Sequence, residues 1–85
     1  MPMAIGVDGL SSALADLAPG RCGLVTSLLA TGLPRRRLLD LGFVPGTRVE
    51  SVRRSPAGDP TAFALRGATI ALRHEEADLI TIRVL

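Results

Sequence analysis

Apolar and polar residues alternate through the last third of the chain with the period of two that is typical of half-buried strands. The apolar or β-branched positions are Thr61, Phe63 and Leu65, then Ile70 and Leu72, then Ile80, Ile82 and Val84. Arg66-Gly67 predicts a hairpin turn between the first two segments, and the polar residues 74–78 predict a single 3₁₀ or α turn before the third. Three short strands are therefore predicted here.

The start of the chain has a helical period followed by a strand pattern. Leu10, Leu14 and Leu17 recur at helical spacing and predict a short N-terminal helix that ends at Pro19-Gly20. The compact apolar run 23–29 then predicts the first strand.

The middle of the chain predicts a second helix and another strand. Residues 34–41 are expected to be helical because Pro34 is tolerated in a first turn and Gly42 is placed for a left-handed cap. Residues 44–47 carry the Pro and Gly of a type II turn. They lead into a strand over residues 48–55, with a bulge expected near residues 50–51.

Taken together, these elements predict a mainly β fold. Five short strands with one helical turn before the last favour a small closed barrel, with a short N-terminal helix and an inserted helix near residues 34–41. Residues 10–85 are expected to form this single domain, and residues 1–9, which lack any period, are expected to be a flexible N terminus.

Composition excludes several classes of function. All ten basic residues are Arg, and the net charge of +2 is too small for the broad positive field of a nucleic-acid-binding protein. The chain has no Lys, Trp or Tyr, so it lacks a phosphate-loop cation, rings that stack bases and the aromatic groove that binds Pro-rich peptides. No nucleophile elbow or dinucleotide fingerprint occurs, so we expect no enzymatic activity and assign no catalytic residue.

Location is constrained by cysteine usage and hydropathy. The single Cys22 cannot form an internal disulfide, and the first residues lack the pattern of a signal peptide, which favours a cytoplasmic protein. No run of about 18 apolar residues occurs, so we do not expect the chain to span a membrane by itself.

The middle segment also resembles a known family. Residues 33–47 read LPRRRLLDLGFVPGT and resemble the basic, leucine-rich helix and Pro-Gly turn of the FeoA family. Residues 14–23 resemble the opening Leu-x-x-Leu-x-x-Gly-x-x-Gly of that family, and residues 67–77 resemble its Gly-x-x-Ile-Ala-Leu-Arg followed by an acidic turn. The resemblance extends over roughly residues 14–85.

This resemblance implies a fold, a partner and a role. The expected fold is an SH3-like barrel with a helical insertion, and the expected role is that of an accessory in bacterial ferrous iron uptake. Its partner would be FeoB, the large permease with a cytosolic GTPase part, whose activity it would modulate, and it would reach the membrane only through this partner. The alternative is a regulatory interaction module related to the C-terminal domain of metal-dependent transcriptional repressors.

The helix contains the candidate partner-binding residues. Arg35, Arg36 and Arg37 lie near the positive end of the helix dipole, an arrangement that helix stability alone does not favour. The hypothesis is a docking face for an acidic partner, formed by these arginines with Leu39 and Phe43. A merely solvated helix face, a core role for Phe43 and self-association through the same patch all stay open.

A metal site is a separate hypothesis. His74, Glu76 and Asp16 are candidate ligands, because imidazole and carboxylates bind divalent ions. The expected metal is weakly held Fe²⁺ or Zn²⁺, with ligands shared between two chains, and no cofactor is required. The alternative is a solvated turn, since a structural zinc site needs four ligands and neighbouring residues on a turn point in different directions.

Overall fold

The computed structural model describes residues 11–85, and the predicted flexible segment 1–9 lies outside this range, as does Leu10. Six strands, one 3₁₀ turn and two helices make up the described part. They are β1 (Ser11–Ala13), the 3₁₀ turn (Leu14–Asp16), β2 (Cys22–Leu28), α1 (Gly32–Leu41), β3 (Arg48–Arg54), β4 (Thr61–Leu65), β5 (Ala68–Leu72), α2 (His74–Ala77) and β6 (Ile80–Val84).

The six strands form one antiparallel sheet in the order β1-β6-β2-β3-β4-β5. The mainly β prediction is confirmed, but the barrel is not closed and has six strands rather than five. β1 is only three residues long and pairs with β6 alone, so it does not reach β5. The 3₁₀ turn after β1 instead packs against α2.

Of the predicted short N-terminal helix, a single 3₁₀ turn is present among the described residues. Residues Ser11–Ala13 pair with β6, and only Leu14–Asp16 makes a helical turn, in which Leu17 donates its N–H to the Leu14 carbonyl at 3.1 Å. Both leucines are buried, at 0% and 3% exposure. A spacing of three fits one 3₁₀ turn as well as an α-helix, and pairing with the β6 edge decided between them.

The core lies on the inner face of this sheet and is closed by the loop after α1. Phe43 and Phe63 are its largest fully buried side chains, and buried residues from five strands and from both helices complete it. Gly23 leaves room for Ile82, because a Cβ at Gly23 would lie 2.6 Å from the Ile82 Cδ1. The aliphatic core therefore packs around two aromatic rings.

The turns and the bulge follow the sequence closely. The 44–47 turn has Gly46 at φ 95° and a hydrogen bond from the Thr47 N–H to the Val44 carbonyl at 3.0 Å, as a type II turn requires. The pairing of β3 with β4 shifts between Ser51 and Arg53, so the bulge falls one residue later than predicted. The Arg66-Gly67 hairpin is confirmed, with positive φ at both residues.

Candidate partner-docking site

Helix α1 lies between β2 and β3 in the chain, and most of its residues are exposed. Of its ten residues only Leu38 is fully buried, while Leu39 and Leu41 are half-buried. The remaining side chains face outward. The helix is therefore held at one stripe, and most of its surface is available for contact.

The C-terminus of α1 explains how the helix is attached. Gly42 adopts φ 110° and donates its N–H to the Leu39 carbonyl at 3.0 Å, while Phe43 donates to the Leu38 carbonyl at 3.1 Å. This pair of bonds is the Schellman motif, which commonly brings the residue after the glycine onto the last turn of the helix. Phe43 is thereby directed into the core.

The burial of Phe43 corrects the sequence hypothesis. Phe43 is 0% exposed, so it cannot contact a partner from the surface of this fold. The core role that the sequence left open for it is the one that the structure shows. The Schellman pattern, with Leu38 and Phe43 at its two contacting positions, was the signal that could have settled this.

The three arginines are exposed but not equivalent. Arg37 donates to a carboxylate oxygen of Glu76 on α2, and this is the sole ion pair within residues 11–85. Arg35 and Arg36 make no ion pair within that range and project from the first two turns of α1. Arg37 therefore joins α1 to α2, whereas Arg35 and Arg36 remain available to a partner.

One exposed apolar residue was missed. Leu33 is 82% exposed, the highest exposure among the large apolar residues that the structure describes. It lies about 140° around the helix from Leu38, which a helical projection of the sequence would have shown. Leu39, by contrast, is only half-buried, as expected for a residue beside the buried stripe.

A groove of about 680 Å³ runs between α1 and α2. Its apolar lining comes from α1 and from the segment after α2, and its charged rim, to which α2 contributes Glu76, carries both signs. The apolar residues are Leu33, Pro34, Leu38, Leu41 and Leu79, and the charged ones are Arg36, Arg37, Asp40 and Glu76. An apolar floor with a polar rim is the arrangement that protein interfaces use.

The metal candidates are separated by the fold. Asp16 and His74 line one small pocket of about 290 Å³, but Glu76 lies at the groove beside α1 and pairs with Arg37. The backbone N–H of His74 donates to an Asp59 carboxylate oxygen at 2.8 Å. Within residues 11–85 no three His, Cys, Asp or Glu side chains are grouped to hold an ion.

In the part of the chain that the structure describes, no helix has the length and apolar character needed to cross a bilayer.

The sheet is open and antiparallel, helix α1 is inserted between β2 and β3, and a groove lies beside that helix. These features define a small β module of the SH3-like class. The family model described as the FeoA domain matches residues 13–84. The chain belongs to the FeoA family.

Solved structures agree with this assignment. The FeoA protein of Chlorobium tepidum is 38% identical, with a TM-score of 0.80 over 86% of this chain and 70% of that one. FeoA of Stenotrophomonas maltophilia, solved in complex with zinc and described as a prokaryotic SH3 domain protein, is 31% identical. Its TM-score is 0.73, over 82% of this chain and 87% of that one.

A curated relative joins two proteins in one polypeptide. The Fe(2+) transport protein A/Fe(2+) transporter FeoB fusion protein of Porphyromonas gingivalis is 28% identical over 72 residues. The match covers 85% of this chain but only 8% of that fusion protein.

The alternative considered from the sequence is supported at the level of fold alone. A manganese-dependent transcriptional repressor is 21% identical, with a TM-score of 0.79 over 88% of this chain and 42% of that one. The same architecture therefore occurs within repressors.

Proposed function

We propose that this chain is a non-catalytic accessory of ferrous iron uptake that docks on the cytosolic side of a FeoB transporter through α1. The P. gingivalis relative supports the choice of partner, because it carries a FeoA part and a FeoB part on one polypeptide. Fusion raises the effective concentration of two modules for each other and is useful where they must associate.

The observation that carries the proposal is the outward face of α1. Leu33, Arg35 and Arg36 are exposed on α1, and Leu33 and Arg36 line the apolar groove. Burying a leucine side chain in an interface contributes roughly 1.5 to 3 kcal/mol. Flanking arginines attract an acidic surface and fix its orientation. The unfavourable position of these cations at the positive end of the helix is then explained by binding.

The proposed consequence of docking is modulation of the FeoB GTPase. Arg35 and Arg36 are long, exposed and make no ion pair within residues 11–85, so either could supply a guanidinium to a phosphate-binding site. Anchoring FeoB without changing its hydrolysis would use the same surface. GTP hydrolysis by FeoB, measured with and without this chain, distinguishes the two roles.

The docking proposal is tested by charge reversal. Arg35→Glu combined with Arg36→Glu is expected to abolish pull-down by FeoB, because repulsion from an acidic partner replaces attraction. Arg21→Glu combined with Arg83→Glu is the matched control, since both residues are exposed, lie outside α1 and give the same change in net charge. Undiminished binding by a correctly folded Arg35/Arg36 variant would exclude this surface.

Divalent-metal binding is a separate proposal. Asp16 and His74 share a pocket in one copy, so a second copy would supply the remaining ligands. The zinc complex of the S. maltophilia relative supports testing Zn²⁺ beside Fe²⁺. Calorimetric titration should give heat that is lost in His74→Ala, and no heat with submillimolar metal would reject the proposal.

A further inference from the structure

Strand β5 forms one edge of the open sheet and lacks the features that protect most edge strands. Its five residues, ATIAL, contain no charge and no Pro, and its pairing with β4 is regular throughout. Exposed edges usually carry charges, Pro or bulges that prevent pairing with another chain. The opposite edge, β1, is only three residues long. β5 is therefore the edge suited to accept a further strand.

The hairpin geometry identifies which backbone groups are free. A two-residue turn joins β4 to β5, so the flanking Leu65 and Ala68 form a hydrogen-bonded pair. Hydrogen-bonded and non-hydrogen-bonded pairs alternate along an antiparallel ladder. Thr69 and Ala71 therefore direct their N–H and C=O groups away from β4. Both residues are also exposed.

The surroundings of this edge are basic. Two exposed arginines flank β5 along the chain, Arg66 and Arg73, and two more, Arg53 and Arg54, lie on β3 on the far side of β4. None of the four makes an ion pair within residues 11–85. The register places Ala62 between Arg53 and Ala71 in one row across the sheet. Two alanines in this row leave the long Arg53 side chain free to extend toward the edge. A concave surface of about 470 Å³ lies over the same row.

We propose that the edge of β5 binds an extended, acidic segment of a partner protein, which adds to the sheet as a seventh strand. Main-chain hydrogen bonds to Thr69 and Ala71 would supply affinity, and carboxylates on the added strand would meet Arg73, which directly follows β5, while Arg53 on β3 would contribute to the positive field around them. This site lies on a different element from α1, so the inference does not depend on the proposed function.

Charge decides against a second copy as the occupant. Antiparallel pairing of two β5 strands about Ile70 would place Arg73 of each copy next to the Arg66-Gly67 turn of the other. Like charges would then meet at both ends of the paired β5 strands, and each chain already carries a net charge of +2. An acidic segment meets attraction at the same positions.

The test uses the full chain, labelled for NMR, and a capped seven-residue peptide of alternating Glu and Val. We expect the amides of Thr69 and Ala71 to shift and to gain protection from hydrogen exchange. Arg73→Glu should weaken binding about tenfold, as expected for loss of a charge-assisted contact of about 1.4 kcal/mol. A peptide with Lys in place of Glu should not bind.

Two further arms separate strand addition from simple ionic contact. Ala71→Pro removes an N–H that points to the open side and leaves the β4–β5 ladder intact, so it should abolish binding. A Glu-Val peptide that is N-methylated at alternate residues should fail on the unaltered chain, which tests the same bonds without any change to the fold. The proposal is wrong if the Ala71→Pro variant binds the Glu-Val peptide normally and the unaltered chain also binds the N-methylated peptide normally. It is equally wrong if the amide signals of Thr69 and Ala71 do not shift at millimolar Glu-Val peptide. A dimer that Ala71→Pro dissociates would also overturn it, in favour of a second copy.

Discussion

The inner face of the sheet and helix α1 use similar apolar residues in opposite ways. On the sheet, Phe63, Ile80 and Ile82 are at most 1% exposed, whereas on α1 only Leu38 is buried and Leu33 is 82% exposed. A small domain can bury few side chains, so each residue left outside the core is a potential contact. Stability is therefore concentrated in the sheet, and binding capacity is concentrated on the helix.

The largest expected effect tests whether Phe43 is part of the buried core on the sheet rather than of the exposed surface at α1. Phe43→Ala should lower the free energy of unfolding by roughly 3 to 5 kcal/mol, because it removes a fully buried ring and leaves a cavity. Urea denaturation followed by circular dichroism measures it. Phe43→Leu is the control and should lose less. A loss below about 1 kcal/mol in Phe43→Ala would mean that the ring is not part of the core.

A pair of variants within α1 sharpens the comparison. Leu38→Ala should cost roughly 2 to 5 kcal/mol, because Leu38 attaches the helix to the core, while Leu33→Ala should change stability by less than about 0.5 kcal/mol. Among variants that remain folded, Leu33→Ala should lower the affinity for FeoB more than Leu38→Ala does. Equal stability losses would show that Leu33 packs within the domain.

Ser51 is the exception on the inner face, where a polar side chain is fully buried. Its hydroxyl oxygen has no hydrogen-bond partner among the described residues, and its neighbour across the strands is Phe63. Ser51→Ala should raise the free energy of unfolding by about 1 kcal/mol, since the cost of burying an unpaired hydroxyl disappears. Thermal unfolding would detect this increase. A lower midpoint would indicate that the hydroxyl does have a partner.

The smallest expected effect concerns the contact that joins the two helices. Glu76→Gln removes the ion pair with Arg37, whose side chain is 56% exposed. Exposed ion pairs contribute little, so stability should fall by less than about 0.5 kcal/mol, and the difference should vanish in 1 M salt. Arg37→Gln should give the same result, and a larger loss in only one of the two variants would indicate a second role for that residue.

The candidate site was only partly predictable from the sequence. The exposure of Arg35 and Arg36 and their position in the first turns of a helix followed from the helical pattern alone. The burial of Phe43 and the ion pair between Arg37 and Glu76 did not follow from it, because both depend on residues from other parts of the fold. Glu76 is 39 positions from Arg37, and no local pattern connects them.

The sequence by itself determined the strands β2 to β6, helix α1, the type II turn and the hairpin. Each of them depends on a local period, on the backbone freedom of Gly or on the fixed φ of Pro. Only the tertiary structure decided that Ser11–Ala13 forms a strand, that the sheet stays open and that β5 is an unprotected edge. Pairing between strands distant in sequence sets these features, and a three-residue segment acquires its conformation from the neighbour it pairs with.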